Sequence, residues 1–484
     1  MGAPGTGPDR DTGAAGPARA AGAGADTGPA GGRGSGAGAR WGRRAASCAA
    51  VAAACLFALA AAGAPSLDRG DGVHLVLATG LDLSAGRDAG VYLRLIEQWD
   101  FAHPRVTVDT VQLSGNTDHQ RAQLVADAQS ADMPFDIVNI DNQWTAEFAE
   151  QGWVREVDPA EVGADRFLEP AWEAVCYEDA HWAVPFISDV GLLFYRADLL
   201  EEGDEPPADW AEVFDLAALM VERSDEPVHG YAGQYADYEG LVVNALELVW
   251  GAGTQPIEGG GEDCATAERV GDLSTGLQPL VEAIRDGVVH PGVLTDAEDD
   301  TRARFRSGEV VMMRNWPQAV EGLSVEQGRE NTGTLAFAGW HGGFGEDPEE
   351  IEEPSFGVTE LPGAALGGQS LAVTTASEHP ELAAGLVAHL TSERSQRQLR
   401  DAGYAPALSG LYFDETVAEP RDHIYLGSLR GAILAAEPRP RTPYYTAFSE
   451  ELRDQLHDHL SPPGPVVPST EQFDDELNEV LRGG

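Results

Sequence analysis

Two carboxylates stand where they could do chemistry. Asp189 lies within His181-Trp-Ala-Val-Pro-Phe-Ile-Ser-Asp-Val-Gly-Leu-Leu-Phe-Tyr-Arg-Ala-Asp-Leu-Leu, between a short apolar strand and a second, almost wholly apolar one. A lone acid between two buried strands is costly unless it is paired or points into a cleft. That pattern suits a chain crossing between two lobes while aiming a hydrogen-bond acceptor at whatever binds between them; the alternative is an acid that caps a local turn. Asp141 ends the strand pattern Phe135-Asp-Ile-Val-Asn-Ile-Asp. In open α/β sheets ligands collect beyond the carboxyl ends of strands, although an acid there can also cap the helix that starts near Trp144.

Other chemistries are excluded by what is missing. The chain has 80 acids against 31 bases, a formal net charge of -49, and every base is Arg. Without Lys there is no phosphate-loop lysine and no pyridoxal Schiff base. The acidity argues against nucleic acid, which needs clustered Lys or Arg, and reads as a solvated surface. No CxxC or HExxH is present, and His457 and His459, spaced i, i+2, would not share a helix face. Neither a metal nor a cofactor is implied. Gly368-Gln-Ser370-Leu-Ala lacks the last glycine of a nucleophile elbow, so a serine hydrolase is disfavoured.

The elements that must position the two acids follow a strand–helix alternation. A strand begins at Val73, a helix covers 89–101, a second strand begins at Val106, and a helix covers 118–129. A third strand reaches Asp141, and a helix from Trp144 is closed by Gly152. This order means α/β with a largely parallel sheet. Further on, Asp209 or a neighbour caps a helix through about Val221. Helices are expected over 238–250, 273–286 and 299–307, a short buried strand at Val310-Val-Met-Met, and an acidic loop over 342–354. Leu371-Ala-Val-Thr returns to strand pattern. Helices over 380–391, 394–402, 445–460 and 469–481 complete the chain, and no internal repeat is found.

At 484 residues, with 43% hydrophobic residues and 10 Trp, the chain has material for two or three globular domains. Residues 1–44 are Gly/Ala/Pro-rich and read as a disordered leader. Arg40, Arg43 and Arg44 then precede an apolar run over 45–64 that ends Ala62-Gly63-Ala64, the three parts of a secretory signal. An uncleaved anchor is the rival reading, and a lipid on Cys55 is a third, less supported because Leu56-Phe57-Ala58-Leu59 continues the run. Cys176 and Cys264 fall in the exported part, either as a disulfide or as two separate thiols.

Several blocks, in order, resemble the extracellular solute-binding proteins of sugar ABC transporters, specifically the trehalose/maltose-binding group. They include His119-Gln-Arg-Ala-Gln-Leu-Val-Ala-Asp, Asp136-Ile-Val-Asn-Ile-Asp-Asn-Gln-Trp, Glu147-Phe-Ala-Glu-Gln-Gly-Trp-Val and Trp182-Ala-Val-Pro-Phe-Ile-Ser-Asp-Val-Gly-Leu-Leu-Phe-Tyr-Arg. Tyr238-Glu-Gly-Leu, Phe305-Arg-Ser-Gly-Glu-Val-Val-Met-Met-Arg-Asn-Trp-Pro, Leu366-Gly-Gly and Arg439-Pro-Arg-Thr-Pro-Tyr complete the set. The resemblance implies a two-lobed, periplasmic-binding-protein-like α/β fold (type II), each lobe a mostly parallel sheet flanked by helices, joined by a multi-strand hinge. The lobes are expected to comprise 73–186 with 371–420, and 187–370 with 421–484. It implies a non-enzymatic monomer that closes on a carbohydrate and delivers it to a membrane permease.

Carried over by position, the resemblance assigns ligand contacts to Arg121, Asp141, Asp189, Trp316, Gly367, Gly368 and Arg439, and more loosely to Asp88 and Asn116. Glu239, on its helix, is a further candidate. Two positions depart from the family. Gln369 stands where Gly-Gly-Trp is usual, and Ile187 replaces a tyrosine common in trehalose binders; both remove sugar-facing groups. The chemistry otherwise suits a sugar. Buried hydroxyls without partners cost about 1–3 kcal/mol each, so carboxylate acceptors, Arg donors and an aromatic platform are needed together. A glycoside hydrolase using the cleft carboxylates and a membrane-anchored sugar sensor are the alternatives.

Overall fold

The computed structural model describes residues 72–80, 90–130, 133–259, 264–320, 323, 356–413, 420–461, 464–467 and 470–483. The leader and apolar run with Cys48 and Cys55, Asp88, and the loop over 342–354 lie outside the described residues. Two larger sheets organise the rest. Their strands are β1 (Val73–Thr79), β2 (Val106–Gln112), β3 (Ile137–Asp141), β4 (Val184–Val190), β5 (Leu192–Arg196), β6 (His229–Ala232), β7 (Val310–Asn315), β8 (Phe356–Glu360) and β9 (Leu366–Val373).

The first sheet has the order β2-β1-β3-β9-β4. β1 pairs in parallel with β2 and β3, whereas β9 runs antiparallel to both β3 and β4. The second sheet, β8-β5-β7-β6, holds one parallel pair, β7 with β6, and two antiparallel ones. Both sheets are therefore mixed, not mostly parallel as the strand–helix alternation suggested. That alternation governs only the first three strands; β4 leaves for the second sheet and β9 returns from it, and β9, which lies between β3 and β4, runs against both while β4 points the same way as β3.

Apolar periodicity explains the packing. The helix Val91–Ala102 buries Val91, Tyr92, Leu95, Ile96 and Trp99, one face at i, i+3 and i+4 spacing. It covers one side of the first sheet together with Leu386 and Leu390, while Val138, Ile140, Trp144 and Phe148 form the core on the other side. β3 thus buries alternate residues on opposite faces. The second sheet has its own core, with Phe194, Met312, Val242, Leu246, Phe448 and Leu452. Pro185, which lacks an N–H, sits in β4 at the edge of the first sheet, where the missing donor costs least.

The chain passes between the sheets at Gly191, the single residue separating β4 from β5, and again between β8 and β9. Ile187 pairs with Gln369, and Asp189 with Gly367. Residues 187–190 and 366–370, expected in the second lobe, therefore belong to the first sheet. The polar Ser188-Asp189 step does not end the strand; the chain stays extended to Val190. Gly191 is required there: a Cβ would lie 2.1 Å from Glu247 Oε1 and 2.9 Å from Arg314 Nη2. That buried ion pair fills the crossing, and the amide of Ala365 also donates to Glu247 Oε1 (3.2 Å). A third strap runs alongside, where the amide of Leu366 donates to Glu437 O and that of Glu437 donates to Ala364 O.

Candidate functional site: a cleft between the two sheets

Strand register builds the site. β9, between β3 and β4, sets Gln369 opposite Asp141 and Gly367 opposite Asp189, so both sequence-predicted acids flank one tripeptide. Gly368 has φ +127, and a Cβ there would meet Ile187 O at 2.5 Å, so only glycine fits without strain. A Cβ on Gly367 would press on the Trp316 ring at 2.8 Å. Trp316 comes from the end of β7 in the second sheet, and the Arg314 guanidinium lies 3.8 Å over its ring. Its indole N–H donates to Glu298 Oε1 (3.3 Å), whose other oxygen accepts from the Tyr238 hydroxyl (2.8 Å).

Opposite lies an arginine that touches both halves. Arg439 donates through Nη2 to Asp141 Oδ1 (2.9 Å) and through Nη1 to Glu239 Oε1 (2.8 Å). Glu239, in the first turn of the helix Glu239–Gly251, also accepts from the Tyr445 hydroxyl (2.5 Å) and from Ser449 Oγ (2.6 Å). The Arg439 side chain is 4% exposed. Burial alone would lower its pKa, but the charges of Asp141 and Glu239 outweigh it and hold the guanidinium protonated.

Asp189 is the least satisfied member. Gln318 Nε2 donates to its Oδ2 (3.0 Å), while Oδ1 is buried with no hydrogen-bond partner among the described residues. Burial pushes its pKa up to about 7; the Gln318 amide pulls it down, Asp141 adds to the rise, and Arg314 opposes it. Because the folded value lies above the ordinary one of 3.8, ionising Asp189 weakens the ligand-free fold as pH rises from about 4 to about 7. Asp189→Asn is therefore expected to be more stable than the wild type at pH 8 and close to it at pH 4. Thermal melts at both pH values check this, and a variant less stable at pH 8 would contradict it.

These groups enclose a cavity of about 170 Å³. Asp141, Asp189, Glu239, Trp316, Gly367, Gly368, Gln369 and Arg439 all line it. Two predicted residues do not join them. Arg121 is committed to Glu147 by two bonds of 2.8 and 2.5 Å, an acid from the next helix in the chain that the sequence offered no reason to pair with it. Asn116 caps the helix Thr117–Ala128, its Oδ1 accepting from the His119 amide (3.1 Å). Thr117, Tyr238, Glu298 and Gln318 line the cavity without having been singled out. Tyr238 was within reach, directly before Glu239 in a block already noted, and Gln318 follows Trp316 by two residues. Among the described residues no His/Cys/Asp/Glu group could hold a metal. Gln369 uses Oε1 to accept from Asn139 Nδ2 (2.8 Å).

A family model for bacterial extracellular solute-binding proteins matches residues 88–397. The chain belongs to that family. As a solute-binding protein it is exported, and its work is binding, not catalysis. A probable ABC transporter-binding protein of Deinococcus radiodurans is 30% identical over 304 residues, 60% of this chain and 67% of the relative. Among solved structures, maltose-bound MalE3 of T. maritima superposes with a TM-score of 0.67 at 27% identity, over 85% of this chain and 99% of the other. The GacH receptor of Streptomyces glaucescens, solved unliganded and with acarbose, matches at TM-score 0.66 and 21% identity over 85% and 98%, a likeness of fold. The two-lobed α/β architecture expected from the sequence is the architecture of these solute-binding proteins. Among the described residues no helix is long and apolar enough to cross a membrane.

Proposed function

We propose that this solute-binding protein takes a carbohydrate into the cavity between its two sheets and delivers it to the permease of an ABC transporter. The lobes are the bodies built on the two sheets, hinged at Gly191, at the segment between β8 and β9, and at the strap around Glu437. Asp141 and Asp189 accept from sugar hydroxyls, Arg439 donates, the Gly367-Gly368 backbone allows close approach, and Trp316 covers a C–H face. Glu239 holds Arg439 in place, and Gln369 offers its amide.

The observation that carries this reading is that acceptors from the first sheet and an aromatic from the second line the same cavity, with Arg439 bonded to carboxylates from both halves. The likeness to a maltose-bound protein supports the same ligand class. The chain acts as a monomer, and the run over 45–64 directs export and is cleaved, with an uncleaved anchor or a lipid on Cys55 as the alternative.

A thermal-shift screen across mono- and disaccharides tests the proposal. A carbohydrate at a hundred times its dissociation constant adds about 2.7 kcal/mol to folded-state stability. Asp189→Ala is expected to abolish that shift while keeping the ligand-free fold. A flat response of the wild type to every carbohydrate would overturn the reading.

A further inference from the structure

Cys176 and Cys264 are joined in a disulfide that closes a loop of sequence separation 88. That loop contains the first crossing, Gly191, so the bond ties together stretches on either side of a hinge strand. Cys176 stands in the short hairpin Cys176–Tyr177/Ala180–His181. This hairpin is anchored to the first half: Tyr177 donates its hydroxyl to Glu150 Oε2 (2.9 Å), and Val175 packs with Phe148 and Trp144. Cys264 precedes the strand Ala267–Val270, whose Ala267 and Val270 belong to the core of the second half. The Val270 amide donates to Asn478 Oδ1 (2.9 Å), so this end is anchored as well.

A second, non-covalent strap follows the same route. The Arg441 guanidinium donates to Glu173 O (3.0 Å) and to Ala265 O (3.3 Å), and the Arg441 carbonyl accepts from the Ala267 amide (2.8 Å). Arg441 is two residues from Arg439 and four from Glu437, in the segment that runs beside the second crossing. Cys176 lines a small recess together with Arg439 and Arg441. The covalent tie is thus at the hinge side of the cleft, next to the arginine that holds both lobes. Elsewhere the contact between halves is breakable: Arg453, on the helix Tyr445–Leu460, donates to Asp118 at the start of the helix Thr117–Ala128.

We infer that the Cys176–Cys264 disulfide is an inter-lobe clip that limits how far the cleft opens, so that opening parts the Arg453–Asp118 contact while the hinge side stays joined. The inference rests on the hinged reading above. Rotation of one lobe about its crossing strands is a common motion of such proteins, and a covalent bond beside the axis shortens its range without touching the ligand. In an exported protein the bond persists, so the clip is permanent and not a switch.

Small-angle scattering on the exported chain tests this. The Cys176→Ser/Cys264→Ser double variant is expected to have a larger ligand-free radius of gyration than the wild type, and maltose, used as the probe, should contract it more. If the double variant does not fold, reduction of the folded wild type, followed by reoxidation, is expected to give the same expansion reversibly. Equal ligand-free radii in oxidised and disulfide-free protein would overturn the clip. Contraction of neither form by maltose would count against the sugar reading, while the ligand-free comparison would still decide on the clip.

Discussion

Replacing Glu247 by alanine is expected to cost about 3–5 kcal/mol of folding stability, the range for stranding one member of a buried ion pair. Glu247 and Arg314 have side chains 0% and 1% exposed and share two bonds, of 2.9 and 2.7 Å. Without the carboxylate, the Arg314 guanidinium keeps Gln234 Oε1 (3.3 Å) as its remaining side-chain hydrogen-bond acceptor, and the Ala365 amide loses its acceptor. The site loses too, because Arg314 stacks on Trp316 and fills the crossing beside Gly191. Replacing both charges, as in Glu247→Leu with Arg314→Met, is expected to cost far less, since paired apolar residues leave no buried charge alone. Urea unfolding of the two variants checks this: equal midpoints for the single and double replacements would show that the pair does not brace the crossing.

Arg439→Met is expected to lower carbohydrate affinity by about 30-fold or more, since each factor of ten is about 1.4 kcal/mol and truncating one partner of a buried charge pair costs about 2–5 kcal/mol. Arg439 is the group bonded to carboxylates from both halves. Its loss leaves Glu239 buried, with the Tyr445 and Ser449 hydroxyls as its remaining donors. Adding Glu239→Gln removes that stranded charge and is expected to recover stability without recovering affinity. Titration calorimetry alongside chemical denaturation separates the two effects; affinity restored by the second substitution would mean that Arg439 acts only by holding the fold.

The parts legible in the sequence were those governed by local rules. Asp209 caps the helix Trp210–Arg223 because its side chain can reach the Glu212 amide (2.9 Å), and such a cap is readable from a few residues. The amphipathic helices from Val91 and from Tyr445 follow their apolar spacing. Asp141 and Asp189 were recognisable because a carboxylate at the end of, or within, an apolar strand has few tolerable surroundings. The helix Pro420–Ala435 was not read: Gly427 and Gly431 weaken it, although its buried Leu426, Leu429, Ala432 and Ile433 share one face.

What remained hidden depended on partners distant in sequence. The sequence names Arg121 and Arg439 alike as arginines, yet one is bonded to Glu147 and the other to Asp141 and Glu239. Tertiary placement alone decides which arginine faces the cavity. The antiparallel return of β9 was equally invisible, since no local signal gives the direction in which a strand re-enters a sheet, and it is this return that aligns Gly367 with Asp189 and Gln369 with Asp141.

The most direct measurement is calorimetric titration of maltose and related disaccharides into the wild-type protein and into Asp189→Asn. The wild type is expected to bind one disaccharide per chain with about 8 kcal/mol, a micromolar constant, and the variant to give no measurable heat. No heat from any carbohydrate with a folded wild type, or unchanged affinity in the variant, would contradict the account.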